Sequence, residues 1–237
     1  MPSLDLMNRA RQSPILYGAG VALRDIYSLV KSAYRGSYSQ HGEDAYVADF
    51  FAKRTHGFYL DIGASHPFRI SNTYLLYRSG WRGVTVEPIP RLGKLHRRWR
   101  PRDTLLPVAV GRATGTLEFF EMTPSVLSTL DREVATRYVA DRRAVLFQKY
   151  SIDVAPINHV FEQASAIAPI DFVSMDIEGM DTEVLSEVDF SRFRPALFCI
   201  EFDSANARQD IEGLFSRANY EIVREIGCNL FATPARG

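Results

Sequence analysis

Short apolar runs alternate along this chain with amphipathic segments, and this alternation restricts the fold more than any other feature. The apolar runs predict strands at 57–62, 83–88, 103–110, 116–121, 171–177, 196–202, 220–225 and 228–234. The amphipathic segments predict helices at about 20–34, 71–79, 89–99, 131–147, 180–188 and 207–217. Strands rich in Val, Ile, Leu and Phe between such helices favour an α/β fold. We expect a mostly parallel sheet with helices on both faces, closed by an antiparallel pair.

Composition and charge exclude several classes of protein. The 237 residues carry a formal net charge of zero, so no overall field attracts nucleic acid. No apolar stretch reaches the ~20 residues of a transmembrane helix, and the first residues lack a signal-peptide pattern. A disulfide between Cys199 and Cys228 is geometrically possible, but two buried free thiols are the favoured interpretation. We therefore expect a cytoplasmic protein.

Acidic residues cluster where the predicted strands end. They are Asp61, Glu87, Asp176, Glu178, Glu201 and Asp203. Each acid alone is more often a helix cap or a turn residue. Ligands of parallel α/β sheets bind beyond the carboxyl ends of the strands, so the whole set predicts a binding edge.

Glu87 indicates what kind of ligand binds there. An acid at the end of the second strand can accept hydrogen bonds from both hydroxyls of a ribose. The first turn reads GASHPF, without the later glycines of a dinucleotide fingerprint, and Pro67 has no N–H for a phosphate. The acids would also repel a pyrophosphate, which makes a dehydrogenase the weaker alternative. A cationic nucleoside without phosphates, such as S-adenosylmethionine, fits better.

The sequence resembles the FkbM-type S-adenosylmethionine-dependent methyltransferases over most of its length. The matching segments are SQHGEDAYVADFF (39–51), GFYLDIGASHPFRISNTYLLYRSGWRGVTVEP (57–88), RPRDTLLPVAV (100–110), DFVSMDIEGMDTEVL (171–185) and FRPALFCIEF (193–202). The resemblance implies a class I methyltransferase (Rossmann-like) fold with a seven-stranded sheet whose last strand is antiparallel. It also implies O-methylation, often of sugar hydroxyls in glycans, glycolipids or natural products.

The resemblance assigns roles to residues around the cofactor. Gly63 and Ala64 would form the turn against its methionine part, and Asp61 would fix that turn or the amino group. Glu87 would hold the ribose. The remaining implied cofactor contacts are Gln40, Pro88, Val108, Ala109 and Asp176. The last of these would lie nearest the sulfonium and the acceptor. Pro107 stands where many relatives carry asparagine.

Three candidates could remove the proton of an acceptor hydroxyl. One is His66, because an unperturbed imidazole titrates near neutral pH, and another is Asp176, which ends the fourth strand of the sheet. Alternatively, Asp176, Glu201 and Asp203 could hold Mg²⁺ against the hydroxyl, joined by His159 if its loop folds back.

Other segments are candidates for contact with the acceptor. His66, Asn72 and Glu178 are predicted at the substrate, whereas Ser71 is favoured as a helix cap. Residues 123–147 are predicted as a lid or specificity element. The basic stretch 91–102 is either a solvated helix face or a landing site for an anionic or lipid-linked acceptor.

The chain is expected to comprise an N-terminal helical extension (1–38) and a methyltransferase domain (39–237). The apolar side of the 20–34 helix could pack on the domain, on a second subunit as a homo-oligomer contact, or on a membrane surface. The predicted activity is O-methylation of a sugar-containing acceptor. The alternatives are N- or carboxyl-methylation of a small metabolite, or a non-catalytic cofactor-binding module.

Overall fold

The computed structural model describes residues 27–32, 34–177 and 179–236. Its strands are β1 (Phe58–Ile62), β2 (Arg82–Val86), β3 (Thr104–Leu106), β4 (Ala109–Gly111), β5 (Gly115–Thr123), β6 (Val145–Pro156), β7 (Phe172–Met175), β8 (Leu197–Glu201), β9 (Tyr220–Ile226) and β10 (Asn229–Pro234). Seven of them form one sheet in the order β3-β2-β1-β7-β8-β10-β9, with β10 antiparallel to both of its neighbours. The expected α/β fold, with a seven-stranded and mostly parallel sheet, is confirmed.

The main sheet is buried on both faces because its central strands are apolar throughout. All five residues of β1 are buried. Phe58, Leu60 and Ile62 pack in one core, whereas Tyr59 between them packs in the other. This alternation follows from the period of two along a strand. It explains why the sequence shows continuous apolar runs here instead of alternating polar residues.

Helices cover both faces of this sheet. The helices of the described ranges include α1 (Glu43–Phe50), α2 (Tyr74–Arg78), α3 (Pro90–Trp99), α4 (Arg132–Ala140), α5 (Ile157–Ser165), α6 (Asp181–Ser186) and α7 (Ala205–Arg217). Of these, α4 packs against β5 and β6 and not on the main sheet. The core with Leu60 takes apolar residues from α5, α6 and α7, and the core with Tyr59 takes them from α1 and α2. No helix within the described ranges is long and apolar enough to cross a bilayer.

The predicted helix at 20–34 falls only partly within the described residues. Positions 27–32 and 34–35 are helical, and Gly36 follows with a φ of 68°. Leu29 packs against the core formed with α1 and α2. Tyr27 and Tyr34 remain exposed.

A second sheet of three strands, in the order β4-β6-β5, stands beside the main one. β5 and β6 pair antiparallel over almost their whole length, and β4 runs parallel to β6. The predicted single strand 103–110 is therefore wrong. It is interrupted at Pro107, which lacks an N–H for a ladder, and its two halves join different sheets.

The predicted helix 131–147 is wrong in its second half. Helix α4 ends at Ala140, where Arg142 takes a left-handed φ of 57°, and β6 begins at Val145. Charged residues gave this stretch a helical appearance. Its strand character depends on pairing with β5, a partner that lies far away in the sequence. Helix α5, which follows β6, was not predicted.

Candidate active site

A cavity of about 500 Å³ opens beyond the carboxyl ends of β1, β2, β7 and β8. It is lined by nine of the residues predicted from the sequence as ligands of cofactor or metal. They are Gln40, Gly63, Glu87, Pro88, Val108, Ala109, Asp176, Glu201 and Asp203. The structure therefore brings together residues that lie up to 163 positions apart in the chain (40 to 203). Five predicted residues lie outside this lining: Asp61, Ala64, His66, Asn72 and His159.

Glu87 is the most buried carboxylate of the lining, with 4% of its surface exposed. One oxygen accepts a hydrogen bond of 2.7 Å from the N–H of Ile89, and the main chain of Ser65 provides another. Burial raises the pKa of Glu87 to about 8, despite these two bonds and the nearby charge of Arg91. A buried acid with a raised pKa, fixed by main-chain donors at a cavity, is suited to bind a polar ligand.

The turn after β1 brings the main chain close to β7. Gly63 has a φ of 76°, and the N–H groups of Gly63 and Ala64 donate to the carbonyl of Val86 at 3.1 and 3.0 Å. A Cβ at Gly63 would overlap the carbonyl oxygen of Asp176. Glycine is required here both by the left-handed backbone and by this close approach. Ala64 is buried behind the turn.

Asp61 lies beneath the turn and not at the cavity surface. It is 5% exposed, accepts a hydrogen bond from the hydroxyl of Thr73, and lies 3.5 Å from Arg100. Arg100 is fully enclosed and also pairs with Asp103 at 2.6 Å. Burial raises the pKa of Asp61, and Arg100 opposes that rise. Of the two roles that the resemblance implied for Asp61, this position favours fixing the turn.

A second buried group supports the same turn from helix α3. The ring of His96 donates through Nε2 to the carbonyl of Ser65 at 2.9 Å. Burial, together with Arg100, lowers the pKa of His96 to about 3, so the ring is neutral. Ser65 therefore connects Glu87 on one side to His96 on the other, a link that no sequence pattern indicates.

His66 and Asn72 point away from the cavity lining. His66 is 4% exposed, and its ring packs edge-on against Phe68 with centroids 4.5 Å apart. Asn72 donates to the hydroxyl of Ser174 at 3.1 Å. Ser71, expected as a helix cap, accepts from the N–H of Tyr74 at the start of α2, although Thr73 holds the N-cap position itself.

The segment 39–44 both leads into helix α1 and contributes to the cavity. Ser39 and Asp44 share a hydrogen bond of 2.8 Å, and Ser39 accepts from the N–H of Gly42 just before α1. Glu43 is fully buried and accepts from Asn229 of β10 at 3.2 Å. These bonds attach the segment to the sheet, while Gln40 faces the cavity.

The acids predicted as metal ligands share the cavity without forming a metal centre by themselves. Within the described ranges, no group of three or more His, Cys, Asp or Glu residues is placed to hold a metal ion. Glu201 accepts a hydrogen bond of 3.2 Å from the thiol of Cys228, whose pKa burial raises to about 12. His159 is exposed and bonds to Gln163. Glu178 lies outside the described residues.

The predicted lid contributes a second set of lining residues. We call this set the outer wall. It comprises residues 125–130, Tyr138 and Arg143. Ser128 is fixed by accepting from the N–H of Met122 at 3.0 Å, and Thr129 bridges to Phe120 of β5. The sequence identified this region but could not show which of its side chains reach the cavity.

The basic stretch 91–102 does not contribute to the described lining of this cavity. Arg91 pairs with the buried carboxylate of Glu121 at 2.7 Å, and Arg100 is enclosed in the cluster beneath the turn. Lys94 and Arg97 instead border a smaller cavity of about 320 Å³.

The family model of the methyltransferase FkbM domain matches residues 61–222, more than half of the chain. The chain belongs to the FkbM methyltransferase family. This confirms the family predicted from the sequence, and the protein is an S-adenosylmethionine-dependent methyltransferase. No curated protein gave a significant match.

One solved structure is similar to this FkbM methyltransferase. The family assignment depends on the family model alone and not on this structure. The solved structure is the Burkholderia thailandensis 1,6-didemethyltoxoflavin-N1-methyltransferase with bound 1,6-didemethyltoxoflavin and S-adenosylhomocysteine. The two chains share 11% identity with a TM-score of 0.44, over 94% of this chain and 91% of the other.

The residues that line the cavity of the FkbM methyltransferase fit S-adenosylmethionine by their chemistry. The buried carboxylate of Glu87 can accept hydrogen bonds from ribose hydroxyls, and Val108 and Ala109 offer a small apolar surface for adenine. Asp176 and Asp203 place carboxylates where a cationic sulfonium or ammonium group would be favoured. The volume lies within the range of small-molecule sites.

Proposed function

We propose that the protein methylates a hydroxyl group of a sugar-containing acceptor that enters the cavity between Asp176 and the outer wall. The observation that carries the proposal is that two chemically different sets of residues line one cavity. Glu87, Val108 and Ala109 form the part suited to a nucleoside. Hydroxyl-bearing residues of the outer wall, including Ser125 and Ser128, border the remaining part, and such groups pair well with sugar hydroxyls.

Bound S-adenosylmethionine supplies an activated methyl group, so positioning and proton removal are what the chain must provide. Glu87 fixes the nucleoside, and the Gly63 turn leaves room for close approach of its methionine part. Holding the acceptor oxygen in line with the methyl group lowers the entropic part of the barrier. These residues act by orientation and do not react themselves.

Asp176 is the proposed general base for the acceptor hydroxyl. It lines the cavity directly after β7, and its N–H donates to the carbonyl of Ile62 at 3.0 Å, which fixes the residue beside the Gly63 turn. His66, the other candidate, is buried against Phe68 outside the lining. The position of Asp176 therefore favours it over His66.

The test is methyl transfer from labelled S-adenosylmethionine to a panel of sugars, glycosides and nucleotide-linked sugars, with the product analysed by mass and NMR. A new methoxy group on a sugar carbon supports the proposal. A methylamine or a base-labile methyl ester would favour the N- or carboxyl-methyl alternative. Cofactor binding without transfer to any member would favour the non-catalytic alternative. The same assay with EDTA and with added Mg²⁺ tests the magnesium role suggested by the sequence.

We also propose that the protein acts in the cytoplasm, with residues 1–38 as an extension of the domain. Both cysteines are free thiols, as suits a reducing compartment. The exposed Tyr27, Val30 and Tyr34 offer an apolar surface for a second subunit or a membrane. Light scattering of the full chain, and its sedimentation with lipid vesicles, separates these two uses.

A further inference from the structure

Arg143 is the one cationic side chain among the described residues of the cavity lining. The acids Glu87, Asp176, Glu201 and Asp203 line the same space from the strand ends. Arg143 belongs instead to the outer wall. The cavity therefore carries carboxyl groups where the cofactor is proposed to bind, and one positive group in the part left for the acceptor.

The turn that ends α4 positions Arg143. Arg142 takes the left-handed φ of 57°, and the N–H groups of Arg143 and Ala144 both donate to the carbonyl of Tyr138 at 2.9 and 3.2 Å. This geometry returns the Arg143 side chain over the ring of Tyr138, 4.6 Å from its centroid. An arginine held over an aromatic ring keeps its planar donor face oriented. A left-handed backbone at a residue other than glycine is uncommon, and it often marks a functional turn.

The guanidinium of Arg143 forms no ion pair with the residues that the structure describes. Arg137 and Arg142 likewise form no ion pair with the described residues, whereas two other surface arginines are paired. Arg132 bonds to Glu118 at 2.7 Å, and Arg91 bonds to Glu121 at the same distance. The donors of Arg143 are thus available to a ligand in the cavity.

We propose that Arg143 binds an anionic group of the acceptor, either a phosphate or a carboxylate, and so makes the enzyme selective for negatively charged sugars. This inference rests on the proposed function and names the substrate class of the same site. The guanidinium fork matches both anions through two parallel hydrogen bonds. The inference places the anion-binding site in the outer wall and not in the basic stretch 91–102, where Arg91 and Arg100 are already paired with acids.

The experiment compares three probes on the full chain saturated with S-adenosylhomocysteine. The probes are glucose 6-phosphate, glucuronic acid and the neutral methyl glucoside, and their binding is measured by NMR titration. If Arg143 donates a charge-assisted hydrogen bond to the anion, at least one charged probe should bind about tenfold or more tightly than the neutral probe. The charged probe that binds more tightly distinguishes phosphate from carboxylate.

Two variants decide whether Arg143 is responsible. Arg143→Gln is expected to remove the preference, while Arg97→Gln, the same change at an exposed arginine of the basic stretch outside this cavity lining, keeps it. Equal binding of all probes, absence of binding by both charged probes, or an unchanged preference in Arg143→Gln would overturn the inference. S-adenosylhomocysteine is expected to bind equally to both variants. Its failure to bind the wild-type protein would instead count against the proposed function.

Discussion

Glu87 and Ile89 are joined by a hydrogen bond of 2.7 Å from the main-chain N–H to the buried carboxylate. Because burial outweighs this bond and raises the pKa of Glu87 to about 8, the carboxylate form becomes dominant only above that pH. Ribose hydroxyls donate to the carboxylate form. The affinity for S-adenosylhomocysteine is therefore predicted to rise with pH up to about 8, by at most about tenfold per pH unit, and then to level off.

Calorimetric titrations of the wild-type protein and Glu87→Gln between pH 6 and 9 check this dependence. Glu87→Gln removes the titrating carboxyl group but leaves any titration of the ligand unchanged. The difference between the two curves of affinity against pH therefore reports Glu87 alone. Parallel profiles would show that Glu87 does not titrate at the binding site.

Glu87 is also predicted to reduce the stability of the ligand-free protein. Its folded pKa lies above its ordinary value of 4.5, so the protonated form favours folding and stability is lost as pH rises through about 8. Glu87→Gln is expected to increase the free energy of unfolding by about 1–3 kcal/mol at pH 8.5, and by much less at pH 5. Urea unfolding at the two pH values measures the effect. A variant less stable than wild type at pH 8.5 would contradict it.

Gly63 is predicted to tolerate no side chain. In Gly63→Ala the new Cβ would overlap the carbonyl of Asp176, at a backbone position that is left-handed. We therefore expect the free energy of unfolding to fall by about 3 kcal/mol or more. We also expect the affinity for the cofactor to fall. Gly115→Ala is the control, because no atom lies within 4 Å of its Cβ position. Thermal unfolding of both variants compares them, and similar melting temperatures would argue against the close approach of β1 and β7.

Asp176→Asn tests the proposed general base. Loss of proton removal predicts that kcat falls about 100-fold or more, while the affinity for S-adenosylhomocysteine changes only a few-fold. Asp153→Asn, an exposed acid of β6 outside the main cavity, should keep wild-type turnover. A turnover of Asp176→Asn close to that of the wild type would show that Asp176 is not the general base.

The main sheet could be predicted from the sequence because each central strand carries its own signal. Runs such as that ending at Asp61 and that ending at Glu201 are apolar throughout, and a turn or an acid closes them. The second sheet carried no such signal. β6 is exposed over most of its first half, and its conformation comes from pairing with β5.

The cavity was predicted in part for a related reason. Residues that directly follow a strand, such as Glu87 and Asp176, must lie at the sheet edge, so their place follows from the strand assignment. The direction of side chains within the first turn depends on tertiary contacts. Asp61 turns to Arg100, and His66 turns to Phe68. Arg143 was missed because the left-handed turn at Arg142 has no marker residue such as glycine.

A crystal structure of the full chain with S-adenosylhomocysteine tests the central claim most directly. The account predicts both ribose hydroxyls within hydrogen-bond distance of the Glu87 carboxylate, the adenine beside Val108 and Ala109, and the sulfur near Asp176. An adenosyl group bound outside this cavity, or a Glu87 carboxylate turned away from the ribose, would contradict it.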